Sequence, residues 1–143
     1  MRHAEEGYPK EVCGFILGVL DDPGKEVVRR VTNIADREHG RDPEIFPRDA
    51  RTSYRMDPLE LRDIEEDADR KGLQILAVYH SHPDHEAYFS EVDRRDALLG
   101  GEPPWPGRYI VVSVRVGRAV ETQAYEWDSE KRDFVNVGRL SSK

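Results

Sequence analysis

The amino-acid sequence predicts an α/β (α+β) fold in which a central mixed β-sheet is flanked by helices. Three observations predict it. Two stretches read as hairpins, Val12 to Leu20 returning as Lys25 to Asn33, and Tyr109 to Val116 returning as Val120 to Trp127. A charge-rich stretch entered through Asp57-Pro58 reads as a capped helix. Between these, Leu73 to His80 is apolar in near-continuous order, as expected of a central strand covered on both faces.

Met1 to Glu6 reads as the tail of a short helix, and Gly7-Tyr8-Pro9 breaks it. Asp21-Asp22-Pro23-Gly24 supplies the turn of the first hairpin. Asp36 to Pro47 is polar, holds two prolines and reads as a surface loop. Arg51 to Met56 can form a short strand. In the helix that follows, Leu59, Ile64 and Ala68 recur near helical spacing, and Lys71-Gly72 stops it. After a loop from His82 to Phe89, Ser90-Glu91-Val92-Asp93 has the pattern of a cap and leads into a short helix from Arg94 to Leu99, ended by Gly100-Gly101. Pro103 to Gly107 is a rigid connector, Gly117 turns the second hairpin, and Phe134 to Leu140 adds a last short strand. No repeat or linker divides the chain, so one domain over residues 1–143 is expected.

Composition narrows the function classes. Charged residues make up 36% of the chain and the formal net charge is -7. No basic stripe with interleaved aromatics occurs, which argues against nucleic acid and against an anionic membrane surface. The longest apolar runs, around Phe15 to Leu20 and Tyr109 to Val114, fall far short of the roughly 20 residues of a membrane span. Met-Arg-His-Ala-Glu-Glu at the start contains no apolar signal segment, and the single Cys13 cannot form an internal disulfide. The expected location is cytoplasmic.

The chemistry concentrates in His80-Ser81-His82-Pro83 and in Asp93. Side chains at i and i+2 of an extended chain point the same way, so His80 and His82 can present both imidazoles to one ion. Asp93, in the first turn of the next helix, can return to the same point and complete two nitrogens and one carboxylate oxygen, leaving a fourth position for water as in catalytic zinc sites. Each residue also has an ordinary role: surface histidines, a helix-dipole carboxylate at Asp93, and an N-cap at Ser90. Cys13 is disfavoured as a nucleophile because it falls within an apolar strand. His3, His39 and His85 lack ligand-like spacing, and His85 reads as an exposed loop residue.

Together with Glu11-Val12-Cys13-Gly14 upstream, the run His80-Ser81-His82-Pro83, Ser90 and Asp93 resembles the JAMM (MPN+) motif of zinc metallopeptidases, a glutamate followed far downstream by H-x-H-P-x(6)-S-x(2)-D. The intervals match throughout. Tyr8 through Gly18, Tyr54 to Pro58, Glu86-Ala87-Tyr88 and Trp105 to Val114 extend the resemblance over most of the chain. It is nearest to the small prokaryotic members that process ubiquitin-like sulfur-carrier proteins. The resemblance implies a fold related to the cytidine-deaminase-like architecture and one Zn2+ per chain held by His80, His82 and Asp93. It further implies Glu11 as general acid/base, Ser90 as an oxyanion partner, and a ubiquitin-like or sulfur-carrier protein as substrate. It also allows a homodimer, and it implies that an N-terminal strand and part of the first helix would precede Met1 in such a domain. Two other peptide-directed readings stand beside it, a non-catalytic interaction module of the same fold and a zinc peptidase acting on other peptides. A zinc deaminase is excluded by its own ligand set, since H-x-E and P-C-x-x-C are absent.

Overall fold

A computed structural model describes residues 2–97, 105 and 107–140. The elements run α1 (Arg2–Gly7), β1 (Cys13–Val19), β2 (Asp22–Val31), α2 (Ala35–Arg41), α3 (Pro58–Lys71), β3 (Gln74–Pro83), α4 (Glu91–Ala97), β4 (Arg108–Arg115), β5 (Arg118–Asp128) and β6 (Asp133–Arg139). The strands form one six-stranded sheet in the order β2-β1-β3-β4-β5-β6. Only β3 and β4 pair in parallel, while every other neighbouring pair is antiparallel, so the sheet is mixed.

Alternation along the strands divides the core into two layers. On one face Cys13, Phe15, Leu17, Val31, Val78 and Tyr109 pack with Ile64 and Ala68 of α3 and Ala97 of α4. On the other, Ala77, Tyr79, Ile110, Val112, Val114 and Ala124 pack with Ala4 of α1. Being covered on both sides explains why β3 carries no polar residue from Ile75 to Tyr79. His80 and His82 share the parity of Val78 and so belong to the α3/α4 face.

The strongest local signals are realised. Asp57 caps α3 by accepting the Leu59 N–H at 2.9 Å, with Pro58 at the first helical position, and Gly72 ends the helix at φ 67°. Val116 and Gly117, at φ 48° and 83°, make the tight turn between β4 and β5.

Three expectations are corrected. The first hairpin turns at Leu20-Asp21, with Asp21 at φ 65°, and β2 already begins at Asp22. Pro23 and Gly24 are accommodated because β2 is the sheet edge, where a missing N–H leaves no ladder bond unmade. The stretch expected as loop contains α2, whose Ala35 is buried and donates its N–H to Asn33 Oδ1 at 3.0 Å. Arg51 to Met56 forms no strand beyond a single bridge from Asn33 to Met56. There the Asn33 side chain takes the place of a ladder: its amide donates to Glu11 O at 2.9 Å and Ser53 O at 3.1 Å, and its oxygen accepts the Arg55 N–H at 3.0 Å. The expected end of the α4 helix at Leu99 with its Gly100-Gly101 stop, and most of the connector from Pro103, lie outside the described residues.

Gly107 enters β4 at φ 99°, and a β-carbon there would run into the Leu76 carbonyl on the neighbouring β3. Gly107→Ala is therefore expected to destabilise the protein by about 2 kcal/mol or more. Urea unfolding checks this as a lowered midpoint at unchanged slope.

Candidate metal centre

β3 continues through His80, Ser81 and His82 to Pro83, where Asp84 at φ 57° turns the chain out of the sheet. Both histidines stay on paired strand, with Val111 opposite His80 and Ser113 opposite His82 on β4, and Cys13 of β1 opposite His80 on the other side. The third group arrives from α4. Ser90 Oγ accepts the Asp93 N–H at 3.0 Å while Asp93 Oδ2 accepts the Ser90 N–H at 3.0 Å, a reciprocal capping box. Capping thus points the Asp93 carboxylate back across the loop at the two imidazoles.

The result is a compact triangle. His80 Nε2 lies 3.2 Å from His82 Nε2, and Asp93 Oδ2 lies 3.1 Å from the former and 3.0 Å from the latter. All three residues are buried, Asp93 with 5% of its surface exposed. Ligands at 2.0–2.1 Å from one tetrahedral zinc stand about 3.3 Å apart, so the triangle fits such an ion within a few tenths of an ångström. The imidazoles are also oriented for it. His82 Nδ1 faces the Glu86 carbonyl at 2.9 Å, which takes the ring proton there and leaves Nε2 with its lone pair towards the triangle. His80 is stacked on Tyr54, with ring centroids 4.6 Å apart at 24°, and Tyr88 stands edge-on to His82 at 5.2 Å.

Burial alone would raise the Asp93 pKa. Attraction and hydrogen bonding from His80 and His82 outweigh it, so the carboxyl is held well below the usual carboxylate range. The group stays ionised and available as a ligand. Burial pushes the Tyr54 hydroxyl far above the ordinary phenol range, and the charges of Asp93 and Glu11 push it further.

Glu11 itself is 6% exposed. Its backbone is pinned by the N–H to Ala50 O at 2.6 Å and by the carbonyl to Asn33. Alongside it, Ser81 donates its N–H to Val12 O at 3.0 Å and accepts the Val12 N–H on Oγ at 2.9 Å. Cys13 pairs with His80, so continuing that register by two residues sets Glu11 opposite His82 on the α3/α4 face. Ser90 is half-buried at the rim. The structure thus gathers His80, His82 and Asp93 into one cluster, with Glu11 and Ser90 beside it.

Cys13 lies on this face but is fully buried, and its thiol points to Val31 O at 3.6 Å. Burial, then the charge of Glu11, pushes the thiol far above its usual range, which rules out a thiolate nucleophile at neutral pH. His85 is exposed. His3 contacts the Tyr79 hydroxyl at 2.6 Å and His39 the Phe46 carbonyl at 2.7 Å, both away from the cluster.

Several contributing residues carry no motif. Asn33 and Tyr54 position Glu11 and His80 from a stretch of irregular backbone. The loop after β3 is clamped from β4, β5 and β6, where Tyr125 donates its hydroxyl to Ala87 O at 2.8 Å, Ser113 donates to His85 O, and Phe89 packs on Phe134 at 4.4 Å and Tyr125 at 5.4 Å.

Comparison with known proteins identifies the family. Residues 1–129 match the family described as prokaryotic homologs of the JAB domain. The chain is 29% identical over 141 residues to a desampylase of Haloferax volcanii, covering 96% of this chain and 86% of that one. It is 32% identical over 126 residues to a CysO-cysteine peptidase of Mycobacterium tuberculosis, covering 86% and 72% respectively. A solution structure of a Desulfitobacterium hafniense protein superposes with a TM-score of 0.65 at 22% identity, over 94% of this chain and 80% of that one, which shows the fold. No helix among the described residues is long and apolar enough to cross a membrane.

The triangle predicts one strong divalent-metal site per chain. In a zinc titration followed by calorimetry, His82→Ala and Asp93→Ala should each weaken binding by at least about 100-fold, whereas His85→Ala leaves it unchanged.

Proposed function

Starting from a chain that belongs to the family of prokaryotic homologs of the JAB domain, and so from a JAMM-type hydrolase, we propose a zinc-dependent peptidase or isopeptidase acting at the C-terminus of a ubiquitin-like or sulfur-carrier protein. The observation that carries this reading is the buried triangle of His80, His82 and Asp93 with Glu11 on the same face. Two nitrogens and one carboxylate oxygen with an open fourth side suit catalytic zinc better than a closed structural site. The relatives named as a desampylase and a CysO-cysteine peptidase support bond hydrolysis on such proteins. A module that only binds would have no use for a buried, oriented donor set with an acid beside it.

Zinc held by these three side chains would supply a Lewis acid that makes water nucleophilic near neutral pH and polarises the scissile carbonyl. Glu11 accepts the proton of the attacking water on a carboxylate oxygen, then delivers it to the leaving amine. The Ser90 Oγ already accepts from the Asp93 N–H, so its own hydrogen is left to donate to the carbonyl oxygen as negative charge builds there. Glu86, through its carbonyl, and Tyr54, through its ring, hold the two imidazoles in place.

The reading is tested by incubating zinc-loaded protein with carrier proteins extended at the C-terminus or joined there to a lysine, and weighing the products. Cleavage at the carrier's terminus that stops with a chelator is expected. Cleavage that persists with the chelator and in Glu11→Gln would sink the mechanism. Glu11→Gln should keep its zinc while kcat falls by roughly 1000-fold. Ser90→Ala should lower kcat by roughly 100-fold and, through loss of the cap, stability by about 1 kcal/mol.

A further inference from the structure

An open groove of about 440 Å³ runs between the segment after α2 and the outer side of α4, walled by Phe46, Pro47, Arg48 and Arg55 on one side and Val92 and Arg95 on the other. Two of its lining residues adjoin the metal centre along the chain, one from each side. Ser53, also in the groove, precedes the Tyr54 that stacks on His80, and Val92 precedes Asp93.

Its charge runs against that of the molecule. The chain carries a net -7, yet of the four charged residues lining the groove three are arginines and only Glu44 is acidic. Arg55 is partly neutralised by Glu38 at 2.9 Å, and its guanidinium lies over the Phe46 ring at 5.0 Å, which fixes it along the wall. Among the described residues neither Arg48 nor Arg95 forms an ion pair. Both are exposed on opposite walls. Two unneutralised guanidinium groups facing one channel attract carboxylates and repel cationic side chains, while Phe46, Pro47 and Val92 give apolar contact between them.

We propose that this groove is a charge-selecting subsite for the substrate's tail: it accepts an extended peptide segment bearing acidic side chains upstream of the scissile bond and rejects one bearing arginine or lysine there. The proposal rests on the hydrolase reading for why a tail is present, and it adds which tails are taken. A single-stranded nucleic acid would also answer to arginines, but the apolar Phe46, Pro47 and Val92 along the walls and the net charge of -7 favour a peptide.

The test separates binding from cleavage. Zinc-loaded Glu11→Gln protein is titrated, by fluorescence anisotropy, with two fluorescein-labelled peptides of identical C-terminal residues that carry either Asp and Glu or Arg at the same upstream positions. The acidic peptide should bind roughly tenfold more tightly at low salt, with the difference shrinking as salt is raised. Adding Arg48→Gln and Arg95→Gln should bring the two peptides level, and Arg48→Glu with Arg95→Glu should reverse their order. Both positions are exposed, and unchanged thermal melts verify that the variants fold. Equal binding of the two peptides, no binding of either, an order unaffected by the charge reversal, or tighter binding of labelled oligothymidylate would each overturn the subsite. A protein that keeps the acidic preference but cleaves no carrier would instead overturn the peptidase reading and leave the groove assignment standing.

Discussion

One oxygen atom, Oδ2 of Asp93, accepts from the Ser90 N–H at 3.0 Å and stands 3.0 and 3.1 Å from the Nε2 atoms of His82 and His80. A carboxylate buried that deeply is unfavourable unless hydrogen bonds and opposite charge offset its lost hydration. Here the compensation comes from the cap of α4 and from the two imidazoles, so the carboxylate remains ionised. The same constraint makes the centre a place for a cation. A divalent ion would satisfy all three donor atoms at once, whereas hydrogen bonding alone must share the available ring protons among them. The atom that closes the α4 cap is therefore also the one offered to a cation, so Asp93 cannot be altered without disturbing the cap.

The rest of the fold serves to keep that convergence rigid. β3 lies in the middle of the sheet, between β1 and β4, so His80 sits on backbone paired on both sides and His82 on backbone paired with β4. Glu11 enters from the start of β1, tied by Val12 to Ser81 and by Asn33 to the stretch that carries Tyr54. Asp93 enters from α4, across a loop held at Ala87 by Tyr125 and at Phe89 by rings of β5 and β6. Each donor is thus fixed by an element other than its own, which keeps the entropy lost on metal binding small.

What was legible in the sequence follows from how local each cause is. The α3 boundaries are set by Asp57, Pro58 and Gly72 acting within their own turns, and the β4–β5 hairpin by two residues at positive φ, so both could be read directly. The i, i+2 spacing of His80 and His82 and the capping interval from Ser90 to Asp93 are equally local. They are the reason that the cluster could be named before its geometry was known. By contrast α2 has no apolar period, and it forms because Ala35 is buried and Asn33 supplies its missing partner. The failure of Arg51 to Met56 to become a strand has the same origin, since one asparagine side chain provides the bonds a ladder would have supplied. Tyr54 against His80 and Tyr125 against Ala87 join residues 26 and 38 positions apart. Contacts at such separation are decided by the assembled sheet.

The central claim is that a single zinc ion is held by two imidazole nitrogens and one carboxylate oxygen, with a further position open. Zinc K-edge X-ray absorption on the protein loaded with one equivalent measures this directly. The account predicts about four nitrogen and oxygen neighbours at 2.0–2.2 Å, roughly two of them with the outer-shell scattering of imidazole, and a spectrum altered by Asp93→Ala. A sulfur neighbour near about 2.3 Å, which would place the metal on Cys13, or an imidazole count unchanged by removing His82, would contradict it.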